Sequence, residues 1–167
     1  MTALLCAGLL SFITTPVAGA LSDRFGRKRI YMIGSVLTGI YGFIYFALLN
    51  TLVPTLIVLA IILSFVPHDL IYGPQAALIS EGFTPRLHYS GCSLGYQLAS
   101  LTAGGPAPII ATALLAAYGS GYAVAVYIAV MALVSVVATS FMPDYTGRDI
   151  SQEHSFAAAP DAASSAD

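Results

Sequence analysis

From Leu87 to Pro143 this chain contains no Asp, Glu, Lys or Arg, and between Arg29 and Arg86 it contains only Asp69 and Glu81. Runs of that length cannot all be hidden from water inside 167 residues, so water cannot be the main solvent. A helix of about 20 mostly apolar residues crosses the hydrocarbon core of a bilayer. Charge-free stretches bounded by turn residues predict five such helices, over about 2–20, 30–50, 54–80, 91–117 and 122–142. Composition agrees: 8% of residues are charged and the mean hydropathy is +0.84, where a soluble domain has roughly 25% charged residues. The expected fold is an all-α integral membrane protein, transmembrane over 1–142. The tail over 143–167 is expected to be cytoplasmic and largely disordered. Its Ser, Ala, Asp and Pro content after Glu153 buries too little apolar area to offset the entropy of ordering.

Orientation follows from the six basic residues. Arg24, Arg27, Lys28 and Arg29 lie between the first and second helices, Arg86 between the third and fourth, and Arg148 in the tail. All six fall on one side, which the positive-inside rule makes cytoplasmic. The N-terminus is then expected outside and the C-terminus inside, in a multi-pass plasma (inner) membrane protein. An odd helix count, an exterior uncharged N-terminus and no basic region ahead of the first span together predict that at least one helix precedes Met1. The chain is therefore expected to be a fragment.

Four of the six basic residues crowd one short loop, which leaves no extended face for nucleic acid. Cys6 and Cys92 sit in apolar stretches without metal-ligand spacing and read as small packed side chains. No nucleophile elbow, phosphate-binding loop or paired metal ligands occur. The sequence points away from an enzyme, a cofactor, a metal site and ATP-driven work. Any work it does draws on an ion gradient or on a solute's own gradient.

The most specific string is GALSDRFGRKR, from Gly19 to Arg29. Gly26 supplies a tight turn. Asp23 is expected to accept hydrogen bonds from a neighbouring helix N-terminus, whose partial positive charge favours a carboxylate. Arg24, Arg27 and Lys28 hold the loop at the anionic cytoplasmic leaflet. On physical grounds the segment is either a gate that opens when the Asp23 contact breaks or a positive-inside anchor. The string resembles the G-x-L-(S/A)-D-(R/K)-x-G-R-(R/K) signature of the major facilitator superfamily, found in the cytoplasmic loop between the second and third helices of each half. That resemblance implies a twelve-helix fold of which this chain supplies the last five, its first helix corresponding to the eighth.

A second resemblance is narrower. YGPQAA from Tyr72, RLHYSGCSLGYQ from Arg86 to Gln97 and GPAP from Gly105 to Pro108 are similar to the metabolite:proton symporter branch, which includes carriers of shikimate, 2-oxoglutarate, citrate and proline/betaine. It extends over about residues 2–153. It implies proton-coupled symport of a small anionic or zwitterionic organic metabolite, with shikimate-like members the most similar. His88 stands where the branch has Arg in its R-x-R-Y-S-G string, so the charge of that loop would vary near neutral pH.

Independently of any family, His68 and Asp69 lie about 12 residues from Glu81, roughly 18 to 20 Å from the cytoplasmic end of their helix and near mid-membrane. Ionisable residues at that depth usually face a cavity or a partner. His68, Tyr72 and Gln75, at i, i+4 and i+7, form a polar stripe with Asp69 on its flank. The functional reading is a His68–Asp69 pair that exchanges a proton or helps bind substrate. The structural reading is a hydrogen-bonded pair locked between helices. Pro67 and the Gly73–Pro74 step are expected to interrupt and bend the same helix.

In the fourth helix Gly91, Gly95, Ala99 and Ala103 form a small-residue face for close helix approach. Ser93, Gln97 and Ser100 mark another face, where Gln97 reaches either a solute in a central cavity or a neighbouring helix. Gly104, Gly105, Pro106 and Pro108 are expected to bend or unwind this helix as a hinge. The candidates for a substrate and proton path are His68, Asp69, Tyr72, Gln75, Tyr96 and Gln97. The candidates for a cytoplasmic gate are Gly19, Asp23, Arg24, Gly26, Arg27 and Lys28. The expected partners are a small organic metabolite, a proton, the bilayer and the missing N-terminal helices, without which the chain is expected not to transport. The alternative is a non-transporting membrane remnant or assembly subunit that needs a partner for those helices.

Overall fold

Helices account for nearly all of the computed structural model, which describes residues 2–81 and 88–142. They are α1 (Thr2–Phe25), α2 (Arg27–Leu49), α3 (Pro54–Glu81), α4 (His88–Ala99), a π-helical turn (Ser100–Gly104), α5 (Pro106–Tyr118) and α6 (Gly121–Phe141). The fourth span runs through α4, the π turn and α5, so five segments are long and apolar enough to cross a membrane. The expected cytoplasmic tail over 143–167, with Arg148, lies outside the described residues, as do Arg86 and the side chain of His88.

The first two helices reach further into the basic loop than the charge pattern suggests. The expected loop over residues 21–29 shrinks to Gly26 alone, with α1 ending at Phe25 and α2 starting at Arg27. Charge outside the hydrocarbon core does not end a helix; backbone geometry does. Gly26 has φ 100° and ψ 126°, a conformation that costs a residue with a Cβ about 1–3 kcal/mol. The Gly26 N–H still bonds the Ser22 carbonyl at 3.0 Å, and the Gly26 carbonyl accepts from Ile30 at 3.1 Å. The turn therefore leaves both flanking helices hydrogen-bonded to it.

The expected interruption of the third helix is not realised as a break, because α3 stays helical through both Pro67 and Pro74. Transmembrane helices tolerate proline where neighbouring elements support the backbone, and Pro74 is fully buried. The break falls in the fourth span. There Gly105 N–H bonds the Ser100 carbonyl at 3.1 Å, a π-type closure directly ahead of Pro106 and Pro108. Neither proline has an N–H to donate, and each ring crowds the carbonyl four residues earlier, so the wider turn accommodates them.

Lipid is as apolar as Leu, so these helices associate through close backbone approach rather than through hydrophobic burial. The buried apolar side chains are accordingly small in the main: Ala7, Ala18, Ala60 and Ala125. Central α2 packs against α1, α3 and α6, and α1 also packs against α3. A Cβ at Gly34 would stand 3.0 Å from the backbone of Leu70 and Ile71, and one at Gly39 would stand 3.2 Å from the Ala132 Cβ. At Gly73 a Cβ would meet Gly19 N at 2.9 Å and both the Thr15 carbonyl and the Ala18 Cβ at 3.0 Å. Tyr41 Oη donates to the Ala60 carbonyl at 2.9 Å, adding a polar tie between α2 and α3. Lys28 Nζ donates to the carbonyls of Ser140 at 2.8 Å and Met142 at 2.6 Å. It caps the end of α6, where carbonyls have no helical donor and a cation is favoured.

The fourth span is different. Among the described residues α4 packs against α3 alone and α5 against α6, and the most apolar stretch of this span buries nothing. The small-residue face expected to receive another helix is not covered by one; Gly95, Ala99 and Ala103 border an open cavity instead.

Two substitutions test this packing. Gly73→Ala is expected to lower stability by about 1–3 kcal/mol, because its methyl group collides with α1 backbone. Gly8→Ala, where a Cβ meets nothing within 4 Å, should stay within about 0.5 kcal/mol of the parent. Thermal unfolding followed by circular dichroism in detergent ranks them, and equal midpoints would refute close approach at Gly73 as a source of stability. In the same assay Gly26→Ala should cost about 1–3 kcal/mol through its backbone alone, since the nearest atoms to its Cβ are ordinary contacts at 3.8 and 3.9 Å.

Candidate functional site

Asp69 is 1% exposed and is one of the largest fully buried side chains among the described residues. It lies on the face of α3 that packs against α1. Gly73, one turn further on, lets α1 come within contact of the α3 backbone, and the two helices run parallel there. That brings the turn Ser11–Thr15 of α1 to the depth of Asp69. Ser11 Oγ donates to Asp69 Oδ1 at 2.8 Å, and Thr14 Oγ1 hydrogen-bonds Asp69 Oδ2. Ser11 Oγ is also 3.3 Å from Thr15 Oγ1. Two hydroxyls on one helix thus clamp both oxygens of a carboxyl group on another.

His68 sits at the rim of this cluster. Its Nδ1 lies 3.3 Å from Asp69 Oδ1, while its side chain is 62% exposed. The ring stacks on Tyr72 at 5.7 Å and 15°, and tilts against Phe65 at 5.9 Å. Tyr72 is itself 53% exposed. The expected His68–Asp69 contact is present, but Asp69 is held chiefly by α1, and His68 joins a buried oxygen to an open surface. An imidazole in that position can pass a proton between the two, with its donor and acceptor nitrogens set by tautomer.

The remaining candidates gather elsewhere. Gln75 borders an open cavity of about 680 Å³ with Tyr31, Gly95, Tyr96, Ala99, Ser100 and Ser135 among its walls. Tyr96 also borders a second cavity of about 550 Å³, lined by Ser93 and Gln97 and by Ala76, Ala77 and Ser80 of α3. The structure therefore places His68, Asp69 and Tyr72 together, and puts Gln75 and Gln97 in two different cavities that share Tyr96. Gln75 is seven residues from His68, about 10 Å along the helix axis, so it meets different neighbours. The first cavity offers amide and hydroxyl groups without a charged side chain; such groups orient a polar solute by hydrogen bonds.

In the turn between α1 and α2, Asp23 binds no backbone N–H group of a neighbouring helix among the described residues. Its Oδ1 accepts from the Arg27 guanidinium at 2.8 and 3.0 Å. Arg24 and Arg29 are exposed, and Lys28 ties α2 to α6 as described above. A Cβ at Gly19 would meet nothing within 4 Å; the close approach at this point is set by Gly73.

Ser11 and Thr14 were not singled out from the sequence. The available signal was a Ser-x-x-Thr spacing about as far from the C-terminal end of α1 as Asp69 is from that of α3, but nothing in one sequence says which helices face each other. Among the described residues no three His, Cys, Asp or Glu side chains group closely enough to hold a metal ion.

Comparison with known proteins adds the family. A family model described as the Major Facilitator Superfamily matches residues 1–162. The chain is 34% identical over 142 residues to a shikimate transporter of Escherichia coli K12, covering 84% of this chain and 32% of that protein. It is 35% identical over 127 residues to the inner membrane metabolite transport protein YhjE of the same organism, covering 75% and 29%. It is 28% identical over 140 residues to a citrate-proton symporter of Klebsiella pneumoniae, covering 83% and 31%. The chain thus spans about a third of the length of the curated relatives it matches. No solved structure gives a significant match. With five spans and a match along nearly its whole length, the chain belongs to the Major Facilitator Superfamily.

Proposed function

We propose that the chain forms part of a secondary active transporter that carries a small organic acid or zwitterionic metabolite, shikimate-like, together with a proton. One observation carries the proposal: a buried carboxyl group, Asp69, lies near the middle of a membrane span, clamped by two hydroxyls and touched by His68. Ionisable groups at that depth are costly and mark ion or substrate paths. The names of the relatives, a shikimate transporter and a citrate-proton symporter, support both the solute class and the coupling ion. In this reading Asp69 holds the transported proton and His68 delivers it. Gln75, Tyr96 and Gln97 contact the solute, and Tyr72 orients the His68 ring. The segment Gly19–Lys28 is the cytoplasmic gate, and the protein sits in the plasma membrane with the chain's N-terminus outside.

A second reading has its own observation. The fourth span buries nothing, and the His68–Tyr72 stack is exposed at mid-membrane, where an imidazole facing lipid is poorly solvated. Both surfaces are suited to cover by further helices, as alternating access between two halves requires. A chain without them would be a non-transporting remnant or an assembly subunit.

Uptake of labelled shikimate and related organic acids, with and without a proton uncoupler, separates the two. Uncoupler-sensitive uptake is expected only when the chain is expressed together with a partner that supplies further helices; uptake by the 167-residue chain alone would refute the need for more helices. In the transporting form Asp69→Asn should lower uptake by at least about tenfold at unchanged membrane abundance, a loss of roughly 1.4 kcal/mol or more in the coupled step. Unchanged uptake would remove Asp69 from the proton path.

A further inference from the structure

We propose that Thr14, with Ser11 beside it, is the positioning residue that lets Asp69 change its protonation state without leaving a buried polar atom unpaired, and that the change is passed to the backbone of α1 at Leu10. This deepens the transporter reading and rests on it, because it assumes that the state of Asp69 changes during the work of the protein.

Hydrogen counting leads to the inference. Thr14 Oγ1 lies 3.0 Å from the Leu10 carbonyl and also hydrogen-bonds Asp69 Oδ2. A threonine hydroxyl has one hydrogen and two acceptor lone pairs, so it cannot donate to both. When Asp69 is ionised, both its oxygens need donors. Ser11 gives its hydrogen to Oδ1, Thr14 gives its hydrogen to Oδ2, and Thr15 can donate to Ser11. When Asp69 is protonated on Oδ2, that O–H becomes the donor and Thr14 the acceptor, and the Thr14 hydrogen turns to the Leu10 carbonyl. Every polar atom keeps a partner in either state, with the heavy atoms in place. Valine, of nearly the same shape, would serve in neither.

The consequence reaches α1. A threonine bonded back to the carbonyl four residues earlier bends its helix slightly, so the Thr14–Leu10 bond forms when the proton arrives and is released when it leaves. Pro16, two residues further on, has no N–H, so the Phe12 carbonyl loses its helical donor. The switch therefore acts beside a carbonyl of α1 that has no helical donor, and α1 leads directly to the Gly26 turn. His68 is the only titratable side chain in polar contact with Asp69 among the described residues. Packed against α3, α1 presents only hydroxyls here, and Tyr41 of α2 is engaged with Ala60.

Infrared spectroscopy of the chain in lipid vesicles tests this without requiring transport. The carboxylic-acid carbonyl band of Asp69 is assigned by its loss in Asp69→Asn and followed against pH. Thr14→Val removes a charge-assisted bond from the ionised state and only a neutral one from the protonated state. The midpoint at which the band disappears is therefore expected to move about one pH unit to the alkaline side. Thr14→Ala, which avoids any added bulk, should move it the same way, and Thr14→Ser should restore the parent midpoint. Circular dichroism confirms that each variant is folded. An unmoved midpoint in both Thr14→Val and Thr14→Ala, or a serine variant that behaves like valine, would overturn the proposal. A moved midpoint together with normal uptake by Asp69→Asn would instead overturn the transporter role of Asp69 and leave the Thr14 contact standing.

Discussion

The Asp69 cluster depends on how closely α1 approaches α3 at Gly73. In lipid there is no hydrophobic gain from bringing two apolar helices together, so contact has to come from backbones that fit. The bare Cα of Gly73 admits the Thr15 carbonyl, Ala18 and Gly19 to within about 3 Å of where a Cβ would stand. That distance carries Ser11 and Thr14 within reach of Asp69 one turn away. Packing and chemistry are thus set by a single contact. The same logic, repeated at Gly34 and Gly39, makes α2 the axis of the structure and leaves large side chains such as Leu9, Phe12 and Ile13 facing outward.

The end of the bundle that carries the basic loop is organised by backbone and caps rather than by its ion pair. Asp23 is 60% exposed and pairs with Arg27 one helical turn away; such surface pairs contribute about 0–1 kcal/mol. Gly26 fixes the angle between α1 and α2, and Lys28 fastens α2 to the end of α6. A weak Asp23–Arg27 pair on a rigid turn suits a gate better than a strong one would. The carboxylate can be exchanged to another donor at small cost while the turn keeps its shape.

Much of this was legible in the sequence because the constraint was severe. Charge-free runs located five spans, and a tight turn was evident from a glycine set among basic residues. A lone Asp between two apolar turns marked a candidate site, and the structure buries that residue. What escaped notice concerns which helices meet. Ser11 and Thr14 are ordinary residues of an apolar helix until α3 is placed beside them, and Lys28 reads as one more inside charge until the end of α6 appears under it. Helical angle put Gln75 on the stripe of His68 and Tyr72, but angle ignores depth, and the two ends of that stripe face different neighbours. The prolines of α3 misled, but those of the fourth span stand where the helix was expected to unwind. α3 remains helical through Pro67 and Pro74, whereas the fourth span, which buries nothing, opens into a π turn ahead of its own prolines.

The choice of hydroxyls as partners for Asp69 has a physical logic of its own. An Arg or Lys at that depth would form a buried ion pair, and protonating the carboxyl would strand a charge in a medium of low dielectric, at a cost of several kcal/mol. Hydroxyls are amphoteric. They donate to a carboxylate and accept from a carboxylic acid, so neither state is penalised by an unpaired group. His68 completes the arrangement at the rim: its contact with Asp69 at 3.3 Å is long, and most of its ring is open. A strong His68–Asp69 pair would hold the proton in place. In the transporter proposed above, a weak one at the edge of a hydroxyl clamp would give the proton a route in and out, which is what separates a carrier of protons from a structural ion pair.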